Sequence, residues 1–196
     1  MSEPPTDSAH ENLAATLVVR RRIHATPEQL FAAWTQPEHL VQWWGPEGVA
    51  CPAAEIDLRP GGAYRIANRF QDGTVVWIAG VFELIEPPHR IIYTWRLESQ
   101  MGPTERVTVC FEWLDASTEV TVTHERIADE AARTRHERGW AGCLDSLVRY
   151  AGQLREPIDT WDDGAEDWPA PSRARENAIR CRRKELGVEK APASLG

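Results

Sequence analysis

Histidine, tyrosine and asparagine are the side chains of this sequence best suited to acid–base or hydrogen-bonding chemistry in an apolar site. His124 and Asn68 each lie within a run of alternating apolar residues, and His136 precedes Trp140 by one helical turn. A histidine beside a hydroxyl or an amide can take a proton while its neighbour polarises a carbonyl. Such a site could serve aldol-type cyclisation or dehydration, with His124 as the base and Tyr93 or Asn68 as its partner.

Each of these polar residues also has a purely structural interpretation. A histidine on an inward face most often forms a hydrogen bond within the core, and His136 could simply orient the start of a helix. No inward Asp or Glu is predicted, which weakens the case for catalysis. The sequence therefore favours a binding protein over an enzyme. If it is an enzyme, we expect a cofactor-free cyclase or dehydratase that uses His124.

Several other chemistries lack their motifs in this sequence. The six histidines show no H-E-x-x-H spacing and no two cysteines form a C-x-x-C pair, so we predict no metal site. The glycine-rich signatures of nucleophile-elbow hydrolases, P-loop enzymes and dinucleotide-binding proteins are also missing. We therefore expect neither a metal nor a cofactor.

The charge balance is acidic, with 30 Asp and Glu against 22 Lys and Arg and a net charge of -8. A phosphate backbone is bound through excess positive charge, so nucleic acid is not an expected partner. The longest largely apolar stretch, residues 75–82, is much shorter than the roughly 18 residues of a membrane-spanning helix. The first residues also lack the basic start and apolar block of a secretory signal. These features predict no membrane insertion and a cytoplasmic location.

The elements that must position the polar residues follow from periodicity and capping signals. Residues 16–24 suit a first strand, and Thr26 with Pro27 forms a strong helix start, which is followed by a second start at Pro37. From 51 to 126 the pattern has period two with regularly spaced turns, which predicts about six further antiparallel strands. Asp129 then caps a long helix that runs to about residue 154.

Composition divides the chain into three parts. We predict a flexible N-terminus over residues 1–15, one domain over 16–154, and a tail over 155–196. The tail is first acidic and then Arg-rich, and it has room for a short helix. Its opposite charge blocks could pair with each other. Alternatively, this segment could contact a protein partner or the second subunit of a homodimer.

Three segments carry a resemblance to a known family. They are residues 25–34 (ATPEQLFAAW), 57–65 (DLRPGGAYR) and 136–140 (HERGW). The sequence resembles the bacterial homologues of the activator of heat-shock protein 90 ATPase, within the START-like (SRPBCC, helix-grip) superfamily, over about residues 16–154. The resemblance implies an α+β fold with a seven-stranded antiparallel sheet that grips a long C-terminal helix. It also implies two short helices after the first strand and a cavity between the long helix and the sheet.

Members of this superfamily use the cavity to bind lipids, hormones and polyketides, to cyclise polyketide chains, or to sequester toxic natural products. The resemblance thus implies binding of a hydrophobic, aromatic small molecule. It leaves open a cyclase or dehydratase that uses the same cavity. A third possibility is a regulatory, co-chaperone-like protein that acts through its surface and its tail.

Tryptophan is unusually frequent, with 9 Trp beside 3 Tyr and 4 Phe. Its side chain combines a wide apolar surface with an N–H group, which suits the lining of a cavity. Strand alternation turns one face of each strand inward and places Trp113 on that face. Residues 75–84 are apolar on both faces, so the pattern does not decide whether Trp77 points inward. The residues predicted to contact a ligand are Trp44, Tyr64, Asn68, Trp77, Tyr93, Trp95, Phe111, His124, His136 and Trp140.

Overall fold

The structure of the protein is a computed structural model that describes residues 15–154. Seven strands and three helices follow one another along this part of the chain. In chain order they are β1 (Ala15–Ile23), α1 (Pro27–Thr35), α2 (Pro37–Trp43), β2 (Ala54–Ile56), β3 (Ala63–Arg69), β4 (Val75–Glu86), β5 (Arg90–Leu97), β6 (Glu105–Leu114), β7 (Ser117–Ile127) and α3 (Glu130–Ala151). The predictions for the tail and for nearly all of the N-terminus lie outside the described residues.

The helices begin where the sequence signals place them. Thr26 caps α1 through a capping box, in which its hydroxyl accepts from the backbone N–H of Gln29 and the Gln29 side chain accepts from the backbone N–H of Thr26. Pro37 is the first residue of α2. The carboxylate of Asp129 accepts from the backbone N–H of Ala132 at 2.7 Å and starts α3. The long helix predicted from the apolar stripe therefore forms at that place.

All seven strands belong to one antiparallel sheet with the order β1-β7-β6-β5-β4-β3-β2. From β2 to β7, each strand pairs with the next one along the chain, and β1 pairs with β7 at one edge of the sheet. Helix α3 packs against β1 and β7, while α1 packs against β6. This is the α+β arrangement expected from the resemblance, a seven-stranded antiparallel sheet with a long C-terminal helix on it.

The core lies between the helices and the inner face of the sheet. Strand alternation holds along β6, where Val107, Val109 and Phe111 are buried. Trp113 continues the same alternation but its side chain is 47% exposed, so its predicted inward position is wrong. It lies one residue from the end of β6, where alternation no longer decides which side chains are buried.

Candidate ligand cavity

A cavity of about 510 Å³ lies between α3 and the strands β3, β4 and β5. Its walls are largely apolar and aromatic, and they come from the loop after α2, the inner faces of the three strands and one side of α3. The residues that line it are Trp44, Gly45, Pro46, Val49, Asn68, Phe70, Val76, Ile78, Trp95, Leu97, Arg135, His136, Arg138, Gly139, Trp140 and Cys143.

Five residues predicted to contact a ligand lie in this lining: Trp44, Asn68, Trp95, His136 and Trp140. The side-chain oxygen of Asn68 accepts a hydrogen bond from the indole N–H of Trp44 at 3.1 Å. The ring of Trp44 meets Trp140 edge to face, with centroids 5.6 Å apart. The aromatic part of the lining is thus held in place by contacts within the protein.

Tyr64 and Tyr93 were predicted to contact the same ligand, but they border a separate void. That void measures about 10 Å³, which is room for one water molecule at most. The Tyr64 hydroxyl donates to the backbone oxygen of Thr94 at 2.8 Å, and the Tyr93 hydroxyl accepts from Trp34 at 3.4 Å. Burial raises the pKa of both phenols, so neither exchanges a proton near neutral pH.

Two further predicted residues lie away from the cavity. Trp77 is on the opposite face of β4 from Val76 and Ile78, which line the cavity, and the guanidinium of Arg65 lies 4.4 Å above its ring. Phe111 is buried against Phe31 and Trp34 in edge-to-face contacts, each with a centroid distance of 5.9 Å. Both side chains contribute to packing in this structure.

His124 is completely buried and is absent from the cavity lining. Its Nδ1 accepts a hydrogen bond from the indole N–H of Trp140 at 3.0 Å. An indole N–H can only donate, so Nδ1 must hold the lone pair and the ring proton is on Nε2. Burial lowers the pKa of His124, which favours this neutral form. The interpretation of His124 as the base that faces a substrate is therefore wrong.

Glu105 is a polar residue of the candidate site that the sequence reasoning missed. One of its oxygens, Oε2, lies 2.8 Å from Nε2 of His124 and 3.1 Å from Nε2 of His136, and its side chain is 15% exposed. Strand alternation from Val107 and Val109 already turns Glu105 inward, so the prediction of no inward acid was wrong. The pattern contained this signal at the first residue of β6.

The Glu105 carboxylate is ionised at neutral pH. Burial alone would raise its pKa, but the contacts with His124 and His136 outweigh burial and lower the pKa to about 2. Both contacts are short, yet Glu105 Oε2 and His124 Nε2 are buried atoms without a well-aligned hydrogen bond. The cluster of Glu105, His124 and His136, which meets the cavity through His136, is therefore charged and incompletely paired.

A carboxylate and two histidines within 4.8 Å of one another are also a conceivable metal-binding group. A metal on Nε2 of His124 would need the lone pair of that nitrogen. However, a neutral imidazole has a single lone pair on its two nitrogens, and the Trp140 N–H already occupies it at Nδ1. The three residues fit a metal only if the contact between Trp140 and His124 is lost, so we assign no metal site here.

The model of one protein family, described as Activator of Hsp90 ATPase homolog 1-like protein, matches residues 24–152. The chain belongs to the AHSA1 family. This confirms the resemblance deduced from the three sequence segments, and with it the START-like fold. Among curated proteins, none matches this chain.

Solved structures similar to this chain agree with the family assignment. The AHSA1 protein from Silicibacter pomeroyi is 27% identical, with a TM-score of 0.64 over 72% of this chain and 100% of that one. Protein CV1439 from Chromobacterium violaceum is 26% identical, with a TM-score of 0.63 over 69% and 96% of the two chains. A protein from Rhodobacter sphaeroides is 25% identical, with a TM-score of 0.64 over 73% and 96%.

The START-like fold of the AHSA1 family supports a ligand-binding or regulatory role in general terms. Within residues 15–154, no helix combines the length and the apolar character needed to cross a bilayer.

Proposed function

We propose that this AHSA1-family protein binds a hydrophobic, aromatic small molecule in the cavity between α3 and the sheet. The observation that carries the proposal is the cavity itself. Its volume of about 510 Å³ falls within the roughly 300–1,000 Å³ that is typical of small-molecule sites. Like those sites, it combines apolar walls with a small number of polar groups.

The shape of the walls favours a flat, aromatic ligand over a flexible chain. Trp44 and Trp140 meet edge to face at an interplanar angle of 86°, so a ring that lies against this pair can contact the face of one indole and the edge of the other. Phe70 and Trp95 supply further aromatic surface on the side of the sheet. An aromatic ligand would therefore gain ring–ring contacts in addition to apolar burial.

The two alternatives have different support. An enzyme in the same cavity loses its proposed base, because His124 is buried behind Trp140 and Glu105. A regulatory role through the tail, and a homodimer formed by it, depend on residues 155–196, which lie outside the described range. The regulatory role and the homodimer remain predictions from sequence.

Titration of the full chain with a panel of two-ring and three-ring aromatic compounds, followed by tryptophan fluorescence, tests the proposal. We expect saturable quenching, since three of the lining residues are Trp. Gly139 lines the cavity and a Cβ added there would meet no atom within 4 Å, so the side chain of Gly139→Phe should occupy cavity space and weaken binding by about tenfold or more. Val148→Phe, at a 39% exposed position on α3 outside the cavity, is the matched control.

The proposal predicts that the Val148→Phe protein binds like the unmodified chain. It would be overturned if no compound in the panel changes the fluorescence of the unmodified protein. It would equally be overturned if the filled Gly139→Phe cavity binds as tightly as the open one.

A further inference from the structure

We propose that His136 and Glu105 form a proton-accepting site in the cavity, which selects aromatic ligands that carry an acidic hydroxyl group, such as phenols or enols. The inference rests on the proposed function and names the chemical class of its ligand. His136 is suited to this role because it lines the cavity, whereas His124 lies behind it.

The positions of the ring protons follow from the contacts. Nε2 of His136 lies 3.1 Å from the ionised Glu105 carboxylate, and a lone pair on that nitrogen would face the lone pairs of the oxygen and be repelled. Nε2 therefore carries the proton, which leaves Nδ1 as the acceptor nitrogen of the neutral ring. Among the described residues, Nδ1 of His136 has no hydrogen-bond partner, so it is available to a ligand in the cavity.

Contacts on three other elements hold His136 in this state. Trp140 fixes the tautomer of His124, and Nε2 of His124 lies 2.8 Å from the same Glu105 oxygen that contacts His136. The Trp95 ring packs edge to face on His136, with centroids 4.8 Å apart. A carboxylate behind an imidazole with a free second nitrogen is the arrangement used by general bases in proteins.

When a phenol occupies the cavity, its O–H bond breaks and an N–H bond forms at Nδ1 of His136. The products are a phenolate and an imidazolium, and the negative charge of Glu105 stabilises the imidazolium. Arg135 and Arg138 line the same cavity and have no ion pair within residues 15–154, so their positive charges favour the phenolate. The charged or titratable groups around His136 include Glu105 on β6, His124 on β7, and Arg135, Arg138 and Cys143 on its own helix.

Two matched probes test the inference, namely 4-nitrophenol and its O-methyl ether 4-nitroanisole, which has the same ring but no acidic proton. Binding to the full chain is measured at a pH where free 4-nitrophenol is mostly un-ionised. We expect the phenol to bind at least about tenfold more tightly than the ether, since it alone gains a charge-assisted hydrogen bond. The bound phenol should also show the long-wavelength absorption band of the phenolate.

Variants separate a proton acceptor from a merely structural histidine. His136→Gln should abolish the phenolate band and the preference for the phenol, so that 4-nitrophenol binds no more tightly than 4-nitroanisole does to the same variant. Glu105→Gln should weaken the phenolate band, because the imidazolium loses its counter-charge. His39→Gln is the matched control, since His39 contacts Tyr150 and does not line the cavity. It should bind both probes like the unmodified chain.

The two proposals fail in different ways. If 4-nitroanisole binds but the phenol shows no advantage, or if the phenolate band survives in the His136→Gln protein, the proton-accepting site is overturned and aromatic binding stands. If neither probe binds to the unmodified chain, the result contradicts both proposals.

Discussion

The two halves of α3 pack against the rest of the protein in different ways. The half that contains Arg135 to Trp140 lies over the cavity, whereas the half from Gly142 to Ala151 carries most of the buried apolar side chains of the helix. Two glycines three residues apart mark the change. A Cβ at Gly139 would meet open space, while one at Gly142 would lie 2.5 Å from the Cβ of Pro46.

The half from Gly142 to Ala151 is held by close contacts with the loop after α2. Gly142 lets the helix backbone approach Pro46, and the Ser146 hydroxyl donates to the backbone oxygen of Gly45 at 2.9 Å. Leu144 and Leu147, in the same half of the helix, are fully buried. These contacts fix the position of this half of α3 relative to Gly45 and Pro46, which also line the cavity.

The largest effect is expected from Leu147→Ala in the closely packed half. Removing this fully buried side chain should lower the free energy of unfolding by about 2–5 kcal/mol, as measured by urea denaturation. Leu97→Ala, at a half-buried position on the cavity wall, is the comparison and should cost clearly less. Equal losses at the two positions would show that the cavity wall is packed as tightly as the core.

Gly142→Ala should have the next largest effect. The added methyl group would overlap Pro46, so α3 or the loop after α2 must shift, at a cost of about 1–3 kcal/mol in unfolding free energy. Denaturation and the affinity for an aromatic ligand are both to be measured, since the shift should also change the width of the cavity. An unaltered stability would mean that the close approach at Gly142 does not hold α3 in place.

Gly139→Ala should act in the opposite direction. Because the methyl group meets no atom within 4 Å, the substitution only improves helix propensity and should raise the unfolding free energy by up to about 1 kcal/mol. The same denaturation experiment measures it, with Gly142→Ala as the partner variant. A loss of stability at Gly139 would contradict an open space above this residue.

The smallest effect on stability at neutral pH is expected from the cluster of Glu105, His124 and His136. Its contribution to stability should depend on pH. Burial lowers the pKa of His124 below 6.5, and contacts with the two histidines lower the pKa of Glu105 from 4.5 to about 2 despite its burial. Both groups therefore take up a proton at a higher pH in the unfolded chain than in the folded protein. The stabilising contribution is therefore complete above pH 6.5 and is lost as the pH falls below 6.5 and then below 4.5.

Unfolding free energies of the native protein and the Glu105→Gln variant, compared between pH 8 and pH 3, test this account. We expect the stability advantage of the native protein to shrink progressively below pH 4.5. A difference that stays constant down to pH 3 would show that the pKa of Glu105 is not lowered in the folded protein.

The overall fold was predictable because its signals are local and repeated. Capping residues such as Thr26 and Asp129, period-two strands and an apolar helical stripe each specify an element independently of distant contacts. The family resemblance then supplied the order of the sheet, which strand periodicity alone does not give.

The details of the candidate site were less predictable, for identifiable physical reasons. Trp77 lies in a strand that is apolar on both faces, so alternation could not assign its side. Tyr64 and Tyr93 do face inward, but whether an inward residue meets the cavity or the solid core depends on where α3 crosses the strand. Glu105 follows the alternation of β6, yet as an acid it was not considered for the inner face. Glu105, His124 and His136 lie on β6, β7 and α3, so their contacts depend on how three separate elements pack together.

The central claim is that the cavity is a binding site for an aromatic small molecule, and native mass spectrometry of the full chain purified from its own host tests it most directly. We predict a complex heavier than the chain by the mass of one small molecule, which is lost in the Gly139→Phe protein and retained in the Val148→Phe control. A chain that carries no ligand, even after addition of the aromatic panel, would contradict the claim. The same adduct on the Gly139→Phe protein would do so as well.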